Sequence, residues 1–196
     1  MKHYIITRIN FKDLDLLDKY LRVTKEVLIP CLKAQTVKDF TLAIITNAET
    51  VDYLREQLDF PFVPFYGTSV HSHMIEEGVN IQTRHDCDDF MSKNYVETIQ
   101  KNYYESYLKY DSFIIQSQPV KLIYDTGEEK NLPPYHERRC SMFLSLCQRE
   151  VTRHVFERKH GQMYEISQKV LTLPVGHTKW VIHGNNLTLV RRRRRH

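Results

Sequence analysis

Cysteine is scarce in this chain and carries no pattern. Cys31, Cys87, Cys140 and Cys147 form no CxxC pair, so a disulfide framework is not the organising device, and reduced thiols in a cytosolic protein are the expectation. Long apolar runs are missing too. No segment reaches the roughly 18 apolar residues that a membrane-spanning helix needs, and the opening Lys2-His3-Tyr4-Ile5-Ile6-Thr7 lacks the apolar stretch of a secretory signal. Apart from the terminal arginines there is no internal repeat, low-complexity tract or segment with a disordered composition. The basic surplus is only apparent. Of the net charge of +4, five positive charges come from Arg191 to Arg195, and the rest of the chain holds 23 basic against 24 acidic residues. A charge footprint for nucleic acid is therefore absent from the body of the protein.

What is present points to one domain. A chain of 196 residues with 41% hydrophobic content builds a core of its own. His3 to Ile9 reads as a first strand. Leu14, Leu17 and Leu21 then recur at helical spacing behind Asp13 as cap. Pro30 opens a new helical turn toward Gln35, and Phe40 to Thr46 is strand-like. Thr50 caps a short helix through Leu58, and Phe60 to Phe65, broken by Pro61 and Pro64, reads as an edge strand or link. Val79 to His85 alternates as a strand does. Ser92 is placed to cap a helix whose face is Val96, Ile99, Tyr103, Tyr107 and Tyr110. Asp111 to Ile115, Val120 to Tyr124 and Lys179 to Ile182 are further strand candidates, the second ending at the turn Asp125-Thr126-Gly127. The remainder of the last third is less regular. Strands alternating with helices imply an α/β sheet, mainly parallel, in which ligands bind beyond the carboxyl ends of the strands.

The most informative residues are Asp86-Cys87-Asp88-Asp89, three carboxylates in four positions directly after the alternating segment. If the strand continues through them, Asp86 and Asp88 share a face. Adjacent anions repel unless a cation lies among them, and a hard divalent ion is commonly held by one or two carboxylates plus substrate phosphates. A solvated acidic turn or a helix start is the plain alternative. Thr7-Arg8, Asn47 and Asp86 all fall at expected strand ends, so one crevice can collect them. Cys87 between aspartates is a poor nucleophile, since negative neighbours raise its pKa, and it reads as a small buried residue.

Two segments resemble a known family. Leu28-Ile29-Pro30-Cys31-Leu32-Lys33-Ala34-Gln35-Thr36-Val37-Lys38-Asp39-Phe40-Thr41-Leu42 resembles a helix, Gln-Thr, strand unit of GT-A fold glycosyltransferases. Thr83-Arg84-His85-Asp86-Cys87-Asp88-Asp89-Phe90 resembles the segment that carries their DxD motif. Tyr4 to Arg8, Phe143 to Leu146 and His183 to Asn186 are similar to the small rhamnosyltransferase group. The resemblance covers about the first 115 residues well, and beyond them only patches. Cys31 stands where a Ser is common, Asn47 where many relatives carry Asp, and the chain is short for an acceptor domain.

The resemblance implies a GT-A-like, Rossmann-like mixed sheet flanked by helices over residues 1–190. Its nucleotide-binding half runs to about residue 115 and its acceptor half spans about 116–190. Residues 191–196 form a basic tail, native or left by cloning. The implied activity is metal-dependent transfer of a sugar from a nucleoside diphosphate sugar to a glycan or other hydroxyl acceptor, with Mn²⁺ or Mg²⁺ as cofactor. Thr7, Arg8, Asn47, Arg84 and Asp86 would line the nucleotide-sugar site. Asp86, Asp88 and His183 would hold the metal, with His177 competing for the last place and Asp89 orienting the pair. Strand-end polar residues closing a sheet, an exposed strand arginine and a surface histidine are the ordinary alternatives for these positions. No base is singled out among Glu137, Glu150 and Glu165, so the catalytic residue is unknown. The setting implied is cytoplasmic, with at most peripheral membrane contact through the tail, no specific nucleic-acid partner, and a length that permits a homodimer. Two other readings stand beside this one: a metal-dependent phosphoesterase or nuclease, which needs a second dense acidic cluster, and a non-enzymatic module that binds through its basic tail.

Overall fold

Strand β1, His3–Arg8, runs through the middle of the protein, with Ile5 and Ile6 buried against opposite layers. The computed structural model describes residues 1–67, 70–123, 126–131, 143–167 and 169–182. After β1 the Asp13 carboxylate accepts the Leu16 N–H at 3.0 Å and starts α1, Leu14–Val23, satisfying one of the orphan donors of a helix start. Leu17 and Leu21 are buried, whereas Leu14 in the first turn is exposed. Helix α1 does not stop at Pro30. It passes through a π-helical stretch, Thr24–Leu28, into α2, Ile29–Lys33. Pro30 has no N–H to give the preceding turn, and a widened turn carries the helix across that point.

The following elements are β2 (Thr41–Thr46), a 3₁₀ turn (Ala48–Thr50), α3 (Val51–Gln57), β3 (Val63–Tyr66), α4 (Val70–Glu76) and β4 (Ile81–Arg84). Then come β5 (Phe90–Met91), α5 (Tyr95–Ser106), β6 (Ser112–Ser117), β7 (Val120–Ile123), β8 (Glu128–Asn131) and β9 (Leu144–Gln148). A 3₁₀ segment (His160–Glu165), β10 (Val170–Leu173) and β11 (Thr178–Ile182) complete the order. Seven strands form the central sheet in the order β3-β2-β1-β4-β9-β6-β10. Within it β9 alone is antiparallel to its neighbours. This is the mixed, mainly parallel α/β sheet that the sequence implies. One face packs under α1, α2, α3 and α5 through Leu17, Leu32, Leu54 and Ile99; the other packs under α4 and the 3₁₀ segment through Met74 and Met163. Pro64 is accommodated because β3 is an edge strand bonded only to β2.

A second sheet, β5-β11-β7-β8, is joined to the first by the acidic turn before β5 and by the link from β6 into β7. Asp89, 2% exposed, accepts the Val181 N–H of β11 at 2.8 Å and ties the two sheets together. Gln35 does comparable work on the other side. Its amide donates to the Cys31 and Ser92 carbonyls at 2.9 and 2.8 Å and accepts the Val96 N–H at 3.0 Å, fixing the entry of α5. Thr36 adds a bond from its N–H to the Lys93 carbonyl at 2.8 Å. The Gln-Thr pair is thus a structural bridge from α2 to the loop behind the acidic turn.

Two caps differ from expectation. Asn94, not Ser92, precedes α5, and the Ser92 hydroxyl donates to the Asn94 side chain at 2.9 Å. The Thr50 hydroxyl donates back to the Asn47 carbonyl at 3.0 Å instead of capping α3.

His3 is buried between β4 and α5. The Gln100 amide approaches its Nδ1 at 3.4 Å, which leaves Nε2 as the protonated nitrogen, 2.7 Å from the Thr83 hydroxyl; that hydroxyl lies 2.6 Å from Ser145 Oγ. Burial lowers the His3 pKa to about 3. Below the ordinary value of 6.5 the unfolded chain binds a proton that the folded one refuses. His3 therefore contributes stability above that pH and loses it as the pH falls toward 3. Chemical denaturation between pH 4 and 7 is expected to show stability rising with pH, with His3→Asn removing up to about 1.4 kcal/mol per pH unit of that slope; an unchanged slope would refute the assignment. Asp89→Ala, which leaves the Val181 N–H buried and unpaired, is expected to cost about 2–3 kcal/mol in the same measurement, against near-neutrality for a substitution at exposed Asp86.

Candidate functional site

The chain leaves β1 toward β2 and β3 on one side and returns through α4 to β4 on the other. A sheet opens a crevice where its strand order reverses in this way, beyond the carboxyl ends of the two strands. The register of β1 and β4 decides what stands there. Ile6 is level with Arg84, and the His85 N–H donates to the Ile6 carbonyl at 3.1 Å. Asp86 lies just past the end of β4, near enough to Arg84 and Arg8 for both to act on its charge. Side chains alternate across a strand, so Arg8 and Arg84 share the face of Ile6, while Thr7 belongs to the helix-covered face of Ile5, as does His85, whose ring meets Tyr95 of α5. Asn47 follows the last residue of β2, whose Ile45 is level with Arg8.

Of the sequence-derived candidates, Arg8 and Arg84 are thereby gathered at one edge and on one face, with Asp86 close to both and Asn47 at the end of β2. Thr7 is at the same edge but on the opposite face, 1% exposed, and its hydroxyl has no hydrogen-bond partner. The Asn47 amide nitrogen and the Arg84 Nε are buried polar atoms without partners as well. Buried donors are normally satisfied, and these three stand near this edge without a partner among the described residues. His183 and Glu137 lie outside the described residues. Glu150 follows β9, and because β9 is antiparallel it sits at the far edge of the sheet, where the Arg149 N–H bonds the Asp111 carbonyl at 2.9 Å. Glu165 is exposed and paired with Arg158 at 3.3 Å. His177 precedes β11, its carbonyl accepting the Ser92 N–H at 2.8 Å, at the end of that strand away from Asp89.

The acidic run is a turn and not a continuation of the strand. Strand β4 ends at Arg84, and the Asp89 N–H donates to the Asp86 carbonyl at 3.2 Å. The period-two sharing of a face by Asp86 and Asp88 therefore does not arise. The turn sorts the carboxylates by burial: Asp86 is exposed, Asp88 is 7% exposed, and Asp89 is committed to Val181. His85 Nδ1 donates to the Asp86 carbonyl at 2.9 Å and fixes the turn, with burial lowering its own pKa to about 4. Cys87 is buried. Its thiol pKa is raised well above the usual value, first by burial and then by Asp88, while Thr24 of the π-helical stretch opposes the shift.

Charge at the site is finely opposed. Asp86 meets solvent, yet the surrounding protein removes enough water to raise its pKa; Asp88 adds to the shift, and Arg84 and Arg8 oppose it. Asp89 is raised well above the carboxylate range by burial, then by Asp88 and Asp86. Burial lowers the Arg84 pKa, Asp86 raises it and Arg8 lowers it again. Both arginines lie against one ring that the sequence did not flag. Phe156 has the Arg8 guanidinium carbon 5.2 Å and that of Arg84 4.7 Å from its centroid. Only an isolated Val155-Phe156 pair between His154 and Glu157 marks it in the sequence, and nothing local says that it meets the two arginines.

As a metal site the arrangement fits one kind of ion only. Among the described residues no three His, Cys, Asp or Glu side chains are grouped to enclose a cation. Asp86 and Asp88 alone suit a hard ion that keeps waters and takes further oxygens from a phosphate substrate.

No family model matches the sequence, and no curated protein matches it. Solved structures do. S. aureus TarS 1-349 in complex with UDP-GlcNAc superposes with a TM-score of 0.57 at 12% identity, covering 93% of this chain and 59% of that one. The same protein in complex with UDP gives 0.56 at 12% identity over 93% and 61%, and S. aureus TarS gives 0.55 at 11% over 93% and 37%. This chain thus spans about three fifths of the length of TarS 1-349. At such identities the likeness is one of fold, and the fold is the GT-A-like arrangement of a mixed, mainly parallel sheet flanked by helices.

Proposed function

We propose that this protein is a glycosyltransferase that takes its sugar from a nucleoside diphosphate donor bound across the carboxyl ends of β1, β2 and β4. The observation that carries this reading is the meeting of Arg8 and Arg84 on one face at the strand-order reversal, with Asp86 near enough to act on both. Cationic and anionic groups side by side suit a ligand that brings phosphates and a metal together. The structures of similar fold include complexes with UDP and UDP-GlcNAc, which makes a uridine nucleotide the first donor to test.

In this reading Asp86 and Asp88 hold Mn²⁺ or Mg²⁺. His183 is the third ligand that the family resemblance implies. A bound ion would neutralise charge building on the departing diphosphate. The protein groups do the rest. Arg8 and Arg84 meet phosphate oxygens, Asn47 offers its amide to the base, and Asp89 and His85 keep the turn in shape so that Asp86 does not have to be positioned during the reaction. The acceptor is a glycan or another hydroxyl compound. The phosphoesterase reading needs a second dense cluster of carboxylates to hold a second ion about 4 Å from the first, and no such group stands among the described residues.

Calorimetric titration of the full chain with UDP and dTDP, with and without Mn²⁺, tests this. Binding of at least one nucleotide that strengthens with Mn²⁺ is expected, together with a loss of at least about tenfold in affinity in Asp86→Asn at unchanged melting temperature. Absence of nucleotide binding with and without the metal, or an Asp86→Asn variant that binds as the parent does, would overturn it. Release of phosphate from simple esters would favour the phosphoesterase instead.

A further inference from the structure

Two arginines in one crevice are costly company for each other, and the surroundings of Arg8 and Arg84 do little to relieve them. Among the described residues neither lies within ion-pair distance of a carboxylate, although nine other basic side chains are so paired. The nearby Asp86 acts on both only at longer range. Arg84 also keeps a buried Nε without an acceptor. Uncommitted positive charge and an unsatisfied donor at one point call for an anion.

The feature that holds the pair is Phe156. A guanidinium within about 6 Å of an aromatic centroid is drawn to the ring face, and both arginines meet that condition, at 5.2 and 4.7 Å. The ring is itself held by two strand glutamines. Gln82, two residues before Arg84 on the same face of β4, accepts the Val155 N–H at 3.0 Å and donates to the Arg153 carbonyl at 3.0 Å. Gln148 of β9 donates to the same carbonyl at 2.8 Å and accepts the Thr152 and Arg153 N–H groups at 3.2 and 3.0 Å. Gln82 is fully buried and Gln148 nearly so, so the segment 152–155 is pinned across the sheet by amides that have no freedom to move. Val155 anchors it in the core beside Ile6, and Phe156 emerges next under the two cations.

We propose that Arg8 and Arg84, spread against Phe156, form a seat for a diphosphate that binds without help from a metal, and that Phe156 is its positioning residue. The identity of the ligand as the diphosphate of a donor rests on the function proposed above; the seat itself rests on the geometry of the three side chains. Two guanidinium groups offer several N–H donors, each set in a planar fork that matches phosphate oxygens better than a single point charge does.

The test is titration of the full chain with inorganic pyrophosphate in EDTA, followed by UDP with Mn²⁺. Pyrophosphate is expected to bind without metal, with at least about tenfold weaker binding in Arg8→Gln and in Arg84→Gln. Phe156→Leu, which fills space but has no ring face, is expected to weaken pyrophosphate several-fold, while Phe156→Tyr restores it. Melting curves of each variant separate this from loss of the fold. Pyrophosphate failing to bind without metal overturns the seat, and if UDP still binds with Mn²⁺ the transferase reading survives that failure. Pyrophosphate binding with no preference for any nucleotide supports the seat and counts against the transferase. Equal binding by Phe156→Leu and the parent overturns the positioning role, since core filling alone would then suffice.

Discussion

The register between β1 and β4 is the constraint on which the rest of this structure depends. One hydrogen bond, from the His85 N–H to the Ile6 carbonyl, extends the register in which Ile6 is level with Arg84, and this puts Arg8 and Arg84 on one face at one edge. Because side chains alternate with a period of two, a slip by one residue would send Arg84 to the helix-covered face and part it from Arg8. The strand order adds the other half of the geometry. With β2 and β3 on one side of β1 and β4 on the other, the strand order reverses at this edge, the place where sheets of this kind bind ligands beyond their strand ends.

The acidic turn shows how one short run divides structural from chemical work. Three carboxylates so close together would be destabilising if all were alike. The fold removes one of them from the problem by giving Asp89 to the Val181 N–H, which turns a repulsive neighbour into the tie between the two sheets. Asp88 is nearly buried, and Asp86 is left facing water with Arg84 and Arg8 close enough to oppose its protonation. The surrounding supports are uncharged: Gln35 across the loop behind the turn, His85 on its backbone, and Gln82 with Gln148 under the segment that carries Phe156. Neutral amides suit this work, since they satisfy buried backbone groups without adding charge to a crevice already crowded with it.

Local chemistry made a large share of these elements legible in advance. Asp13 caps α1 because a carboxylate one position before a helical leucine pattern can accept a free N–H, and the alternation of β1 and β4 survives into the sheet. Helix α4 and strands β5, β8, β9 and β10 were not legible. Strand β9 is buried on both faces over Leu144 to Gln148, so it lacks the polar alternation that reveals a half-exposed strand, and its antiparallel direction comes from its neighbours. Strand β5 is two residues long and exists because β11 is there to pair with it. The end of β4 at Arg84 was equally hidden, since the alternation of residue types runs on toward the aspartates while the backbone turns.

The sequence by itself determined which residues stand at the strand ends. It placed Arg8, Asn47, Arg84 and the aspartates at the ends of segments whose patterning demanded strands, and chains of this pattern put their ligands at such ends. Only the tertiary structure decided which of these residues meet. Thr7 went to the other face by the pleat, Glu150 to the other edge by the reversed direction of β9, and Phe156 arrived beneath both arginines through bonds made by Gln82 and Gln148, far away in the chain. Residue type and short-range period are local properties, readable along the chain. Register, strand direction and long-range side-chain bonds are settled only when distant segments pair.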